Sequence, residues 1–242
     1  MIYKLKYKPF GNQAILIEWP SEINDSILKN IINFELKIKA DKINLIEDII
    51  IGYNSLTIKY SVAFESFQNK KEQLENSYYN SKTILKAKAL TWHIPVCYHE
   101  SFGLDLQSLS EEKNSTINNV IKLHIKATYK VYFIGFLPGF LYLGGLDAKL
   151  HINRKKSPRL NVTKGSVGIG GSQTGIYPSD SAGGWNIIGK TPISFFDVSQ
   201  ANPCFAKAGD TIKFVSISKP EFLKMEAKIA QGLYTLKPEN NG

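Results

Sequence analysis

Several things are scarce in this sequence, and each scarcity closes off a class of protein. Cys97 and Cys204 are the only cysteines in 242 residues. They lie far apart and belong to no CxxC or Cys/His cluster, so two free thiols are expected rather than a disulfide framework. The four histidines, His93, His99, His124 and His151, show no metal-ligand spacing, and no metal is expected. No apolar run approaches the roughly 20 residues needed to cross a bilayer. The opening MIYKLKYKPFGN lacks the apolar stretch and cleavage site of a secretory signal, and a cytoplasmic protein away from membranes is expected. Arginine is nearly absent: Arg154 and Arg159 are the only two. The formal net charge of +9 therefore rests on lysines spread along the chain, without the clustering that a nucleic-acid footprint requires. The two arginines offer planar forks that lysine cannot copy, and each fits either a binding role or a structural ion pair.

Glycine, by contrast, is concentrated. Twelve of the eighteen glycines fall between Gly135 and Gly189, in the runs GFLPGFLYLGGL, GSVGIGGSQTGIYP and GGWNIIGKTP. Glycine serves where φ must be positive or where another group must approach the main chain closely, which places the candidate functional surface here.

Periodicity divides the chain into an α+β part and a mostly β part. AILIEW (Ala14 to Trp19) reads as a strand. A helix-period segment follows, with Ile23, Ile27, Leu28, Ile31, Phe34 and Ile38 on one face. Asn44 to Ile51 and Ser55 to Tyr60 read as strands joined by a turn at Gly52-Tyr53-Asn54. A helix over Glu65 to Tyr79 and a strand ending near Cys97 complete a β-α-β-β-α-β order, which suggests a small ferredoxin-like domain over residues 1–86. The boundary is expected in the lysine-rich stretch Ser81 to Lys88, with a second domain over 87–242. There one helix is expected, capped by Asn114, Ser115 or Thr116 and carrying Ile117, Val120, Ile121, His124 and Ile125 as its core stripe. The short segments KVYFIGF, SVGIGG, WNIIG, ISFFDV and TIKFVSI then predict a sandwich or barrel.

Candidate site residues come from the glycine runs. Gly171, Ser172, Gln173, Thr174 and Tyr177 offer backbone N–H groups, an amide and hydroxyls, which bind and orient rather than act as strong bases. Arg159 and Lys190 supply positive charge. His124 fits either a satisfied core position or a pocket. Tyr132, Phe136, Pro138, Phe140 and Tyr142 form a stretch that either folds into the core or meets a partner. Gly184 to Thr191 matches the P-loop pattern, but Trp-Asn-Ile-Ile favours a strand, and Pro192 follows where a helix is required.

TYKVYFIGFLPGFLYLGGLD, SPRLNVTKGSVGIGGSQTGIYP and GGWNIIGKTPISFFD, in that order, resemble the KipI family. Its members include the B subunit of the bacterial ATP-dependent 5-oxoprolinase and subunit 1 of allophanate hydrolase. The resemblance implies a small α+β domain followed by a cyclophilin-like β-barrel. It also implies partners: a homologous C subunit with its own cyclophilin-like barrel and a third, A subunit. The implied reaction opens 5-oxo-L-proline to L-glutamate at the expense of ATP, with the chain inactive alone. Gln173, Thr174, Tyr177 and a basic residue such as Arg159 or Lys190 would hold the reactants. Two other roles follow from the same resemblance: a protein inhibitor of a sensor histidine kinase, and half of a biotin-dependent carboxyltransferase of the urea carboxylase type.

Overall fold

The computed structural model describes residues 2–80 and 88–239. The chain divides into two compact units, Met1–Lys88 and Ala89–Gly242. The expected boundary stretch lies, apart from Lys88, outside the described residues.

The first unit runs β1 (Lys6–Phe10), β2 (Ala14–Glu18), α1 (Asp25–Ala40), β3 (Ile46–Ile51), β4 (Ser55–Tyr60) and α2 (Phe67–Tyr79). Its strands form one antiparallel sheet in the order β1-β2-β4-β3. Alternation in β2 and β4 aims Ile15, Ile17, Leu56, Ile58 and Tyr60 into one core with Ile27, Ile31, Phe34 and Ile38 of α1 and Leu74 of α2. Asn24 caps α1, its side chain accepting from the N–H groups of Ser26 and Ile27. The element order is thus β-β-α-β-β-α, not the expected ferredoxin-like order. Two things cause the difference. The edge strand β1 alternates lysine with Tyr7 and Pro9 and lies largely exposed, so it carries no apolar run. The strand ending at Cys97 belongs to the second unit.

That second unit is a closed seven-stranded barrel. Its elements are β5 (Thr91–Cys97), α3 (Leu106–Glu112), α4 (Ile117–Lys126), β6 (Tyr129–Ile134), β7 (Leu141–Gly144), β8 (Arg159–Val162), β9 (Ser166–Gly170), β10 (Gln173–Ile176), β11 (Ser181–Gly183), β12 (Asn186–Lys190), β13 (Thr211–Ile217) and α5 (Lys219–Ala230). The barrel closes in the order β10-β7-β6-β13-β5-β12-β9, while β8 and β11 pair separately. Strands β5 and β13 run parallel over seven residue pairs. Ile94, Val96, Val131, Leu141, Leu143, Val167, Ile169, Ile176 and Ile188 fill the interior. Asp210 sits fully buried at the start of β13, and its carboxylate accepts from Leu90 N–H at 2.9 Å, Trp92 Nε1 at 3.1 Å and Lys207 N–H at 3.1 Å.

Two expectations about this unit need correction. Among the described residues it holds three α-helices rather than one: α4 begins after Thr116, whose hydroxyl accepts from Asn119 N–H at 3.2 Å, but α3 and α5 accompany it. ISFFDV is irregular rather than a strand, because Ile193 and Phe195 are buried individually while the following Asp197 turns back on Ser199 and Gln200. Both cysteines are free, Cys97 buried and Cys204 partly so. Among the described residues no helix is long and apolar enough to cross a membrane, and no group of His, Cys, Asp or Glu is arranged to hold a metal ion.

Candidate functional site

The glycines on the outer face of β9 and β10 make room for an indole. A Cβ on Gly170 would lie 2.8 Å from three ring atoms of Trp185, and one on Gly175 would lie 3.0 Å from both Trp185 and Phe140. Trp185 therefore lies against bare backbone, with Phe140 edge-on at 5.4 Å and the Arg154 guanidinium 5.5 Å over its ring. Val162, Tyr177 and Ile187 complete this cluster. These close approaches are aromatic packing. Gly171 does have positive φ, 66°, but its N–H and C=O both pair with Ile152, so it leaves no free N–H for an anion.

His124 is a satisfied core residue. Thr174 Oγ1 donates to Gly168 C=O at 3.0 Å and so accepts from His124 Nε2–H, also at 3.0 Å. Nδ1 is then the acceptor for the Tyr98 hydroxyl at 2.7 Å, and Phe214 stacks on the ring at 4.6 Å. Burial drives the imidazole down to about 3, so it stays neutral. The unfolded chain binds a proton here near pH 6.5 and the folded chain does not. Stability from this group is therefore full above about pH 6.5 and falls as pH drops toward 3, by about 1.4 kcal/mol per pH unit within that window. His124→Gln should flatten the dependence of unfolding free energy on pH between 6 and 4.5 by about one proton. An unchanged slope in urea titrations would show that His124 titrates normally in the fold.

A cationic pocket lies beside the aromatic cluster and shares Val162 and Ile187 with it. It measures about 320 Å³ and is lined by the turn residues Ser101, Phe102 and Leu104, by Arg159, Asn161, Val162 and Thr163 of β8 and its exit, and by Ser166, Ile187 and Lys190. Its frame is the buried Asp105. That carboxylate takes both terminal nitrogens of Arg159, at 2.8 and 2.6 Å, Lys155 Nζ at 2.7 Å and Ile187 N–H at 2.7 Å. Burial works to raise its pKa, but the hydrogen bonds from Arg159, Lys155 and Ile187 together outweigh burial and hold the carboxyl below its ordinary range. Lys190 stands opposite Ser166 in the β12–β9 register. Its stem passes Gly165, where an added Cβ would lie 3.5 Å from the lysine's Cγ and Cε, and its ammonium ends 5.7 Å over the Phe102 ring.

The residues expected to share one binding site are thus divided. Arg159 and Lys190 line the pocket, with Arg159 already tied to Asp105. Ser172 is exposed at the β9–β10 turn, and Gln173 is half-buried opposite Gly170, its Nε2 buried without a partner. Thr174 and Tyr177 have buried side chains, Thr174 in the His124 network and Tyr177 against Gly183 and the backbone of Trp185. Within the expected partner surface His124, Tyr132 and Phe140 are likewise buried, while Phe136 is 65% exposed with a strained φ of 66° and Pro138 is exposed. Tyr142 is half-buried, stacked on Phe133 at 4.2 Å. The P-loop match is strand β12 followed by buried Thr191, and no helix begins there. Sequence reasoning does not find Asp105 or Phe102, which reach the pocket from a turn more than fifty residues before β8.

Comparison with known proteins agrees over almost the whole chain. The profile of the carboxyltransferase domain, subdomain C and D, matches residues 5–206. The chain is 32% identical over 232 residues to the 5-oxoprolinase B subunit of Bacillus subtilis (strain 168), covering 92% of this chain and 97% of that one. It is 36% identical over 207 residues to the 5-oxoprolinase B subunit of Haemophilus influenzae, covering 86% and 95%. The crystal structure of K. lactis urea amidolyase superposes on 98% of this chain with a TM-score of 0.81 at 18% identity. The chain spans 16% of that protein, and the likeness is one of fold.

Proposed function

Since the chain belongs to the family of the 5-oxoprolinase B subunit, built on carboxyltransferase subdomains C and D, we propose that it is the B subunit of an ATP-dependent 5-oxoprolinase that opens 5-oxo-L-proline to L-glutamate together with partner subunits. The observation that carries this reading is identity above 30% running nearly end to end with relatives of that name. The partners are a homologous C subunit and a third, A subunit.

The chemistry explains why such a protein needs no strong base. A lactam carbonyl is a poor electrophile, and ATP supplies the phosphoryl group that converts its oxygen into a leaving group. Water then attacks that carbon and the C–N bond breaks, its nitrogen taking a proton, which leaves an acyl phosphate; a second water displaces inorganic phosphate and gives the carboxylate of glutamate. What that requires of a protein is positioning and charge neutralisation. The cationic pocket suits the task. Lys190 and Arg159 set positive charge in its wall, Ser101, Asn161, Thr163 and Ser166 provide neutral donors, and its lining contains no carboxylate or imidazole to act as general base. The hydrolytic step falls to one of the partners. The lining fits a phosphate or carboxylate group. It has no helix N-terminus following a glycine loop, as a whole-nucleotide cradle would need.

The chain isolated from its native source should carry its partner subunits with it, and that complex should form glutamate from 5-oxoproline only when ATP is present. Lys190→Ala in the complex should lower turnover about tenfold, the effect of losing one charged hydrogen bond, without dissociating it. An assembled complex that forms no glutamate would refute the function, and unaltered turnover in Lys190→Ala would remove this lysine from the site.

A further inference from the structure

We infer that the cationic pocket is a site for a phosphoryl group, and that Lys219, from a separate helix, belongs to it. This deepens the reading above and rests on it only for the identity of the molecule bound.

Helix α5 delivers the extra cation. Ser218 and Glu221 close a capping box at its start: the Glu221 carboxylate accepts from both Ser218 N–H and Ser218 Oγ at 2.7 Å. Phe222 is the buried anchor of the helix and meets Phe102 of the pocket wall at 4.6 Å. Residues three apart share a helix face, so the anchoring of Phe222 carries Lys219 to the same ring, where its ammonium lies 5.9 Å from the Phe102 centroid. Lys190 reaches that ring from the barrel at 5.7 Å. Two ammonium groups from different elements thus gather at one pocket residue, and among the described residues neither has a carboxylate partner. Glu221, the acid nearest Lys219 in sequence, is occupied at the cap.

Charge then defines the ligand. Around the pocket Asp105 pairs with Lys155 and Arg159, while Lys190 and Lys219 gather at Phe102 with no ion-pair partner among the described residues, a local surplus of positive charge. A surplus held half-buried is unfavourable by itself, since like charges repel and the dielectric is lowered. Compensation by one carboxylate would remove one charge. A phosphoryl group carries close to two charges and three acceptor oxygens, enough to meet Lys190 and Lys219 and still accept from one of the Ser166 and Thr163 hydroxyls, which are hydrogen-bonded to each other at 3.3 Å and so leave one proton free. The volume of about 320 Å³ leaves space for a small organic acid attached to that group. The class indicated is a phosphorylated small molecule or the terminal phosphate of a larger one.

The test uses the full chain without partners, with inorganic phosphate and acetate as probes at about pH 7.5, followed by calorimetry or amide chemical shifts. Phosphate should bind at least tenfold more tightly than acetate, with shifts centred on residues 101–104, 163–166 and 190. Lys190→Ala and Lys219→Ala should each weaken phosphate about tenfold, and Lys219→Arg should restore it, while melting temperatures confirm that every variant is folded. Equal affinity for the two anions, shifts centred elsewhere, or phosphate binding unaffected by Lys219→Ala would each overturn the inference. Because no partner and no turnover enter the experiment, it can fail while the 5-oxoprolinase reading stands, and it can succeed if glutamate release is never observed.

Discussion

Asp105→Ala is expected to destabilise the barrel unit by about 3 kcal/mol. The side chain is buried and satisfies four donors at once. Its removal leaves Ile187 N–H unpaired in the interior, at about 1–3 kcal/mol, and sets Arg159 and Lys155 against each other without their shared anion. Both cations keep about a third of their surface, so they recover some hydration, which holds the loss toward the lower end of the range for breaking a buried pair. Asp105→Asn should lose less, because one amide oxygen still accepts from Ile187, while the two-pronged contact with Arg159 is lost. The wild-type carboxyl lies below its ordinary range, so its contribution is present above about pH 4 and lost as pH falls through the folded value. Urea unfolding at neutral pH tests the order Ala, then Asn, then wild type. A loss below about 1 kcal/mol for alanine would show that the carboxylate does not hold the pocket wall.

Asp210→Ala should weaken the barrel by a comparable or larger amount, about 3–5 kcal/mol, for a different reason. Here the carboxylate is fully buried, and its partners are two backbone N–H groups and the Trp92 indole. The Trp92 indole lies on β5 and is buried with the carboxylate, so it cannot turn to water without opening the start of the parallel β5–β13 pair. One buried donor, the Trp92 indole, and two part-buried backbone donors left unsatisfied account for the size of the effect. Asp210→Asn should be nearly as damaging, since its NH₂ would face donors. Trp92 also packs on Phe205 at 4.8 Å, so the change should be visible in tryptophan fluorescence as well as in the unfolding midpoint. A midpoint unchanged in Asp210→Ala would mean that the donors find other acceptors.

These two aspartates mark the limit of what pattern reading reaches. The α1 stripe from Ile27 to Ile38 and the strands Ser55–Tyr60 and Thr211–Ile217 are local features, set by periodicity and side-chain chemistry within a few residues, and they stand as read. Ile23, expected on that stripe, is exposed ahead of α1, and of the three expected caps Thr116 is the one used. Helix α5 is also legible, from Ser218, Pro220 and Glu221 ahead of Phe222, but the many nearby strand signals obscure it. Asp105 and Asp210 are not legible at all. Apart from the Lys207 N–H beside Asp210, their partners lie 50 to 120 residues away, and nothing local separates them from surface acids. The glycine runs show the same limit: their density signals close approach, but whether a ligand or an indole approaches depends on where the fold puts Trp185. Thr174 and Tyr177 follow glycines as a binding loop would, yet strand alternation aims Thr174 inward and Tyr177 is sealed by aromatic neighbours. Lys190 and Arg159, thirty-one residues apart, are brought to one pocket because β12 and the β8 segment both pass the turn at Phe102.

At the centre of these expectations is a chain that contributes an anion-holding surface to a reaction completed by other subunits. The most direct measurement is glutamate formation from 5-oxoproline and ATP by purified subunits, assayed for the complete set, for the set lacking this chain, and for this chain alone. The complete set should release glutamate with an equal amount of ADP, and both incomplete mixtures should release none. Glutamate from this chain alone, or an undiminished rate when it is left out, would contradict that role.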